Sequence, residues 1–408
     1  MKTKANDRGP LALLLFLFLF LPAITLSAYD LSKARIEKLQ NGLTVMIFED
    51  RTQPLVSTQM LYKVGSRNEC DGATGLAHFM EHMAFRATKN FPETQVVSRI
   101  YAEGGEWHGY TWIDQTTYFE TVPVEDLDLV LQIQADRMSN TLINASEVDT
   151  ERGAVMTELR SYDNDPSSVL SDAVVASAFQ QHPYRNNVIG WPTDVEKITH
   201  KDIVDFYKKF YSPSNAILAI SGDLTSSEVL LKVKKYFNAI PGNTVESQPR
   251  SVEPVQVGER RLTLKGSGSL NYFQISWHAP AAHDPDYPAF LVLQAILAGT
   301  TGVNFRQSGG EDVDKGTRLD GIDADLETHF FPTADPYLFT ITGHVDVSID
   351  RDEIEKKIEA KVREVREHLV SDDELDKAKK AIEGELIFDI ETTEDVSHQM
   401  AFFEGINA

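Results

Sequence analysis

The sequence predicts an α+β protein built from two similar domains. The chain has 408 residues, which is more than one hydrophobic core usually supports. Segments with strand and helix periodicity alternate along it, and a stretch with two prolines and little periodicity, residues 243–258, interrupts them. The same order of elements then repeats, which indicates two copies of one module. We therefore expect domains at 29–242 and 259–408, joined by a linker at 243–258.

The first half opens with a predicted hairpin. Residues 35–39 and 44–49 flank Asn41-Gly42, which is a strong turn signal between two strands. The alternating segment 56–64, rich in β-branched residues, predicts a third strand. Further elements predicted in this half are helices at about 124–138, 146–161 and 201–210 and a strand at 216–221.

The second half repeats a strand, a helix and a strand before two long helices. The strands are predicted at 272–277 and 338–343, the intervening helix at about 287–297, and charged helices from Asp352 onward. The agreement with the first half is in the order of elements and not in residue identity. Two copies of one α+β module remain the simplest interpretation.

Residues 1–28 are predicted to be a secretory signal peptide. Three basic residues precede the apolar run 11–21, and small residues at 25–28 are typical of a cleavage region. The protein is therefore expected to be periplasmic or secreted, and it would meet a membrane only if this segment stays uncleaved. Cys70 is the single cysteine, which excludes an internal disulfide and a cysteine-based metal cluster.

The charge composition of the chain argues against some classes of binding partner. The formal net charge is −23, from 39 basic and 62 acidic side chains, which argues against nucleic acid or an anionic lipid surface as a partner. The same charge mildly favours cationic ligands, although a solvated acidic surface is the simpler explanation of the charge. The sequence contains no phosphate-binding loop and no dinucleotide fingerprint, so a nucleotide cofactor is not expected.

The segment GLAHFMEHM, residues 75–83, contains the candidate metal-binding and catalytic residues. On a helix, His78, Glu81 and His82 share one face, so both imidazoles can bind one ion with the carboxylate beside it. Imidazole suits zinc, and a carboxylate near a zinc site can act as a general base. A solvated helix face is the alternative. The apolar neighbours favour a buried helix instead, and buried imidazoles and carboxylates need a partner such as a cation.

A catalytic zinc needs a third protein ligand. A helix predicted to begin at Ser146, with a capping box, carries Glu151 and Glu158 in ERGAVMTELR. Seven residues make two helical turns, so both carboxylates share a face. The residues alone leave open which glutamate would bind the metal, or whether both are ordinary surface residues.

Several motifs of this sequence resemble those of a known protein family. The string HFMEH, followed 76 residues after His82 by Glu158, resembles the inverted zinc motif of the insulinase/pitrilysin metallopeptidases. Other stretches resemble its bacterial branch, which is similar to mitochondrial processing peptidase; they are NGLTVMIFED, YKVGSR, TGLAHFMEHMAFRAT, GGEWHGYTWIDQTTYF, HPYRNNVIGW and FYKKFYSPSNAILAISGDL. The resemblance is close from residue 30 to about 224 and looser beyond.

The resemblance implies two similar domains, each a mainly antiparallel sheet covered by helices, that close over a chamber. It implies a zinc-dependent endopeptidase with one Zn²⁺ per chain and an extended peptide substrate that adds a strand to a sheet edge near residues 107–111. The implied site residues are the metal ligands His78, His82 and Glu158, the catalytic residues Glu81 (general base) and Glu151 (supporting carboxylate), and the substrate-binding residues His108 and Gly109.

The sequence departs from the family pattern in the second domain. Members that cleave alone carry an arginine followed seven residues later by a tyrosine. Here the residue seven after Arg306 is Val313, and the residue seven after Arg318 is Asp325. We therefore expect a heterodimer in which this chain is the metal-bearing subunit of a homologous pair. The alternatives are a homodimer, a self-sufficient enzyme that uses Arg306 or Arg318 for substrate, and a noncatalytic scaffold subunit.

The sequence departs from the family pattern at two further places. His108-Gly109 stands where the family usually has Asn-Ala, which puts the peptide contact of His108 in doubt. The chain ends at Ala408, where family members normally continue through another helix. The second domain is therefore expected to be unusually short or incomplete at its C-terminus.

Overall fold

A computed structural model of the protein describes residues 30–245, 251–302 and 311–407. The predicted signal peptide, the middle of the predicted linker and Arg306 lie outside the described residues. Within them, helices pack on two β-sheets, which confirms the α+β prediction. None of the described helices is both long and apolar enough to cross a membrane.

The first half of the chain forms the larger of the two described sheets. Its strands are β1 (Arg35–Lys38), β2 (Thr44–Glu49), β3 (Leu55–Tyr62), β4 (Glu106–Thr111), β5 (Thr116–Pro123) and β6 (Ala216–Gly222). Their spatial order is β1-β2-β6-β3-β5-β4, in which β2 and β6 are parallel and all other neighbours are antiparallel. This order places β4 at the edge of the sheet.

The Asn41-Gly42 turn joins β1 and β2 as predicted. Gly42 has φ +95°, a conformation that suits glycine. The Asn41 side chain donates from Nδ2 to the carbonyl oxygens of Phe237 and Ile240 at 2.8 and 3.0 Å. The hairpin is therefore tied to the end of a helix almost two hundred residues away in the chain.

Eight helices belong to the described part of this half. They are α1 (Leu76–Ala84), α2 (Gln95–Ala102), α3 (Leu127–Asn140), α4 (Ala145–Asp163), α5 (Pro166–Ala178), α6 (Pro192–Val195), α7 (His200–Phe210) and α8 (Ser226–Phe237). Helices α1, α3, α7 and α8 bury their apolar residues in one core against the sheet.

The N-terminus of α4 differs from the prediction. The helix begins at Ala145 with Asn144 as its N-cap, and Ser146 already lies inside the first turn. The Asn144 backbone is extended, and its Nδ2 donates to Glu147 Oε2 at 2.9 Å. The predicted capping box at Ser146 is therefore wrong, because Asn144, an equally good cap residue, starts the helix two residues earlier.

The second half forms a smaller antiparallel sheet in the order β7-β10-β9-β8. Its elements are β7 (Leu270–Ala279), α9 (Tyr287–Leu297), β8 (Glu311–Asp312), β9 (Asp325–Phe330), β10 (Tyr337–Asp346), α10 (Arg351–Glu367), α11 (Asp372–Phe388) and α12 (Thr393–Gly405). A second core forms between this sheet and helices α9 and α10.

Each half lends one helix to the sheet of the other. Helix α5 packs on β7, and α12 packs on β3 and β6, where Val396 and Met400 form an apolar cluster with Leu61 and Ile217. Ser397 Oγ also lies 3.1 Å from Ser57 Oγ. The two halves are thus interlocked, and the last described helix belongs spatially to the first sheet. The boundaries predicted at 242 and 258 stay a prediction.

Candidate metal centre

Helix α1 carries the predicted metal cluster. It begins after Gly75, whose φ is +86°, and a Cβ there would lie 2.6 Å from the carbonyl oxygen of Ile189. Only glycine fits this close approach of two backbones. Phe79, Met80 and Met83 are buried in the core of the first half. Their burial fixes the rotation of α1 about its axis.

Three possible ligand atoms converge beside α1. His78 Nε2 lies 3.7 Å from Glu158 Oε2, and His82 Nε2 lies 3.5 Å from the same oxygen. One donor atom from each residue lies within 4.8 Å of the other two. Ligands about 2.0–2.1 Å from a tetrahedral ion are roughly 3.3–3.5 Å apart, so the separation of Glu158 from each imidazole is near the value that a zinc site needs. The donor set of two imidazoles and one carboxylate also suits zinc.

Glu151 holds a second position, one heptad before Glu158 on α4. Its Oε2 lies 3.1 Å from His82 Nδ1. A carboxylate at this distance favours the tautomer in which Nδ1 carries the proton and Nε2 keeps its lone pair. Arg86 forms an ion pair with the other Glu151 oxygen. The fold thus places Glu158 at the donor cluster and Glu151 behind His82.

Glu81 points its carboxyl group to the same region. It is buried, and its Oε2 accepts a hydrogen bond from Thr111 Oγ1 on β4 at 2.9 Å. Burial raises the pKa of Glu81, which makes its carboxylate a stronger base. Burial, together with the neighbouring His82, lowers the pKa of His78 to about 4, so its imidazole is neutral and can bind a cation.

The chain matches family profiles over most of its length. The profile "Insulinase (Peptidase family M16)" matches residues 44–191, and "Peptidase M16 inactive domain" matches residues 197–382. A zinc protease of Helicobacter pylori named PqqE is 30% identical over 365 residues, which cover 88% of this chain and 80% of that protein. The chain belongs to peptidase family M16.

Other M16 proteins resemble it over different lengths. A probable beta subunit of mitochondrial-processing peptidase from Arabidopsis thaliana is 28% identical over 283 residues, which cover 69% of this chain but only 53% of that protein. A solved structure of a protease from Helicobacter pylori superposes with a TM-score of 0.82 at 27% identity, over 92% of this chain and 90% of the other. The family recognition from sequence is confirmed.

Three residues of this M16 site were not singled out from sequence. Glu69 is buried and accepts from the backbone nitrogens of Gly75 at 2.8 Å and Ala77 at 2.7 Å, where α1 begins. Thr111 and Arg86 hold Glu81 and Glu151, respectively. Arg86 lies four residues after His82 and therefore could have been found from helical spacing. Glu69 lies in the loop before α1 and Thr111 lies on β4, and no periodic pattern in the sequence indicates either contact.

The predicted substrate-binding residues lie on edge strand β4. His108 is exposed and stacks on Phe119, with ring centroids 5.6 Å apart. Thr111 contacts Glu81, and alternation along a strand puts residue 108 on the opposite face. A Cβ on Gly109 would lie 2.5 Å from Cζ of Phe85, so packing against α1 requires glycine there. The roles of His108 and Gly109 toward substrate stay predictions.

Arg318 is engaged by acidic helices. Its Nε and Nη2 donate to the two carboxylate oxygens of Glu374 at 2.6 and 2.8 Å, and its Nη1 donates to Glu364 at 2.7 Å. A guanidinium paired in this bidentate way is held by α10 and α11. The alternative in which Arg318 holds substrate therefore loses support.

Proposed function

We propose that this chain is an exported, zinc-dependent endopeptidase or oligopeptidase that hydrolyses extended peptides. The observation that carries the proposal is the convergence of His78, His82 and Glu158 beside the buried carboxyl group of Glu81. Membership of family M16 supports the peptidase class. Export is supported by the basic and apolar character of residues 1–28.

The residues divide the chemistry between them. Zinc held by His78, His82 and Glu158 would polarise a water molecule and the scissile carbonyl group. The Glu81 carboxylate takes a proton from the attacking water and returns it to the leaving amine, and Thr111 orients this carboxylate. Glu151 accepts a hydrogen bond from Nδ1–H of His82, which keeps the proton on Nδ1 and leaves the Nε2 lone pair free to bind a cation.

The substrate is proposed to bind along β4. This strand ends the order of the first sheet, and it pairs only with β5 among the described strands. Its outer backbone groups can pair with an extended peptide, which gives affinity with little dependence on peptide sequence. Because Thr111 of β4 contacts Glu81, a peptide on this edge would lie next to the base.

The chain is further proposed to be the metal-bearing subunit of a heterodimer. Its second half lacks the arginine-and-tyrosine pair at the expected spacing, and Arg318 is occupied by Glu364 and Glu374. The relative from Arabidopsis thaliana is by name a subunit, which agrees with divided function. A homologous partner would supply the missing substrate contacts.

A noncatalytic scaffold subunit is the second candidate. It is favoured by the match of residues 197–382 to a profile described as an inactive domain. The complete set of His78, Glu81, His82 and Glu158 favours the enzyme, because a scaffold needs no base beside a metal site.

The test uses the purified mature chain. We expect about one zinc per chain, loss of the zinc on chelation, and peptide cleavage that appears only with zinc and a homologous subunit carrying the arginine-and-tyrosine pair. Robust cleavage by a verified monomer or homodimer would contradict the heterodimer proposal and keep the peptidase proposal. Zinc binding without cleavage under either condition would favour the scaffold.

A further inference from the structure

A buried ionic cluster joins the two halves of the chain, and we call it the interface cluster. It consists of Arg67, Asp114, His182 and Tyr184 from the first half and Asp335 from the connection between β9 and β10. Arg67 donates from Nε to Asp335 Oδ2 at 2.7 Å, and its Nη2 lies 2.6 Å from the same oxygen. The four residues of the first half are buried, whereas the Asp335 side chain is 25% exposed.

The hydrogen bonds of the interface cluster define its protonation. Tyr184 N donates to His182 Nδ1 at 3.2 Å, so His182 Nε2 carries a proton and donates to Asp335 Oδ2 at 3.1 Å. The Tyr184 hydroxyl donates to Asp114 Oδ1 at 2.8 Å and accepts from Asp335 N at 3.1 Å. Asp335 thus accepts from both Arg67 and His182. Removing its charge weakens two hydrogen bonds from buried donors, one of them a cation.

The interface cluster is connected to the beginning of α1, the helix that carries His78 and His82. Arg67 lies two residues before Glu69, whose two carboxyl oxygens accept from the backbone nitrogens of Gly75 and Ala77 at the beginning of α1. The backbone nitrogen of Arg67 donates to the carbonyl oxygen of Ile113 at 2.9 Å. A shift of Arg67 would therefore move Glu69, which caps α1. It would also move Ile113, which lies in the connection between β4 and β5.

A second connection leads to the proposed base. Asp114 lies three residues after Thr111, the residue whose hydroxyl donates to Glu81. Asp114 also accepts from the backbone nitrogen of Ala334 at 2.9 Å. The second half therefore contacts two segments of the first half through the adjacent residues Ala334 and Asp335. One segment carries Thr111, which orients Glu81, and the other carries Glu69, which caps α1.

We propose that Asp335 is a positioning residue that makes the geometry of the Glu81 site depend on the second half of the chain. The inference rests on the proposed peptidase function. Asp335 does not touch substrate or metal. It fixes the guanidinium of Arg67 from outside the first half, and Arg67 in turn fixes the segments that carry Glu69 and Thr111. The second half thus contributes to the site even without the arginine-and-tyrosine pair.

The test replaces Asp335 with Asn, which keeps the size of the side chain and removes its charge. The Ala334 N to Asp114 bond and the apolar contact of Leu338 with Phe179 remain, so we expect the halves to stay packed. Asp346→Asn is the matched control, because Asp346 is an exposed carboxylate at the end of β10 outside the interface cluster. Asp335→Glu keeps the charge and should recover part of any loss.

Two measurements are made on zinc-loaded protein, assayed under the conditions in which the wild type cleaves peptide. We expect Asp335→Asn to lower kcat by about tenfold with KM changed less than about twofold, as for other residues that act through a neighbour. We also expect faster amide hydrogen exchange in residues 66–82 and 106–111. The Asp346→Asn control should match the wild type in both.

The outcomes separate the inference from the proposed function. Unchanged kcat in Asp335→Asn, or a loss that follows only the unfolded fraction with unchanged exchange in those two segments, would overturn the inference. A wild type that cleaves no peptide, with or without a homologous subunit, would overturn the proposed function instead. In that case faster exchange in Asp335→Asn would still support the positioning of the two segments by Asp335.

Discussion

Replacing Glu81 with Gln isolates the proposed base from the rest of the site. Glutamine has the same shape, and its amide oxygen can still accept the hydrogen bond that Thr111 donates to Glu81 at 2.9 Å. The fold and the three proposed ligand atoms of His78, His82 and Glu158 should therefore be unchanged. What is lost is the ability to take a proton, in a position where burial raises the pKa of Glu81 and makes it a stronger base.

The expected loss in kcat is at least about a hundredfold, or about 2.7 kcal/mol in the activation free energy, since general-base catalysis typically contributes this much or more. Zinc content is measured by elemental analysis and kcat with a fluorogenic extended peptide. Glu228→Gln is the matched control, because Glu228 is exposed on α8, which contacts α3 and β2. Near wild-type kcat in fully zinc-loaded Glu81→Gln would refute the assignment of the base.

Three further predictions follow from the structure. Glu158→Ala should release zinc, whereas Glu151→Ala should keep most of it and lower kcat about 10- to 100-fold; metal analysis with the opposite pattern would place the ligand one heptad earlier. Gly109→Ala should destabilise the fold by about 1–3 kcal/mol in urea unfolding, because its Cβ would lie 2.5 Å from the aromatic ring of Phe85, the C-cap residue of α1. The control Gly153→Ala should not destabilise the fold, because a Cβ at this position of α4 meets open space. Burial raises the pKa of Glu69 to about 8 from the ordinary 4.5, so the folded state keeps a proton that the unfolded state loses in this interval. The free energy of unfolding should therefore fall from pH 5 to pH 8 more steeply in the wild type than in Glu69→Gln, and equal slopes would contradict this.

Local patterns in the sequence determined the elements that carry the site. The spacing of His78, Glu81 and His82 puts them on one face of a helix because residues three and four apart are neighbours on a helix surface. The seven-residue spacing of Glu151 and Glu158 does the same on α4. The hairpin at Asn41-Gly42 followed from the preference of one turn for those residues. Each of these inferences depends on residues within two helical turns, so the sequence alone could support it.

Some elements of the first half were missed, although helix α5 carries a local start signal, with Asp165 as its N-cap and Pro166 as its first residue. Strand β5 and helix α5 were not predicted, although β5 is buried beside β3 and α5 covers β7. The start of α4 was misplaced because Asn144 and Ser146 are both good cap residues, and cap preference alone does not choose between them.

Only the tertiary structure decided which side chains meet. Local spacing could not choose between Glu151 and Glu158, because both lie on one face of α4. The packing of α4 against α1 places Glu158 beside the Nε2 atoms of both histidines and Glu151 behind His82. The support of Glu81 by Thr111 joins residues 30 apart in sequence, and the pairing of Arg67 with Asp335 joins residues 268 apart. Contacts of this kind depend on how whole helices and sheets pack, and no periodicity within one segment specifies them.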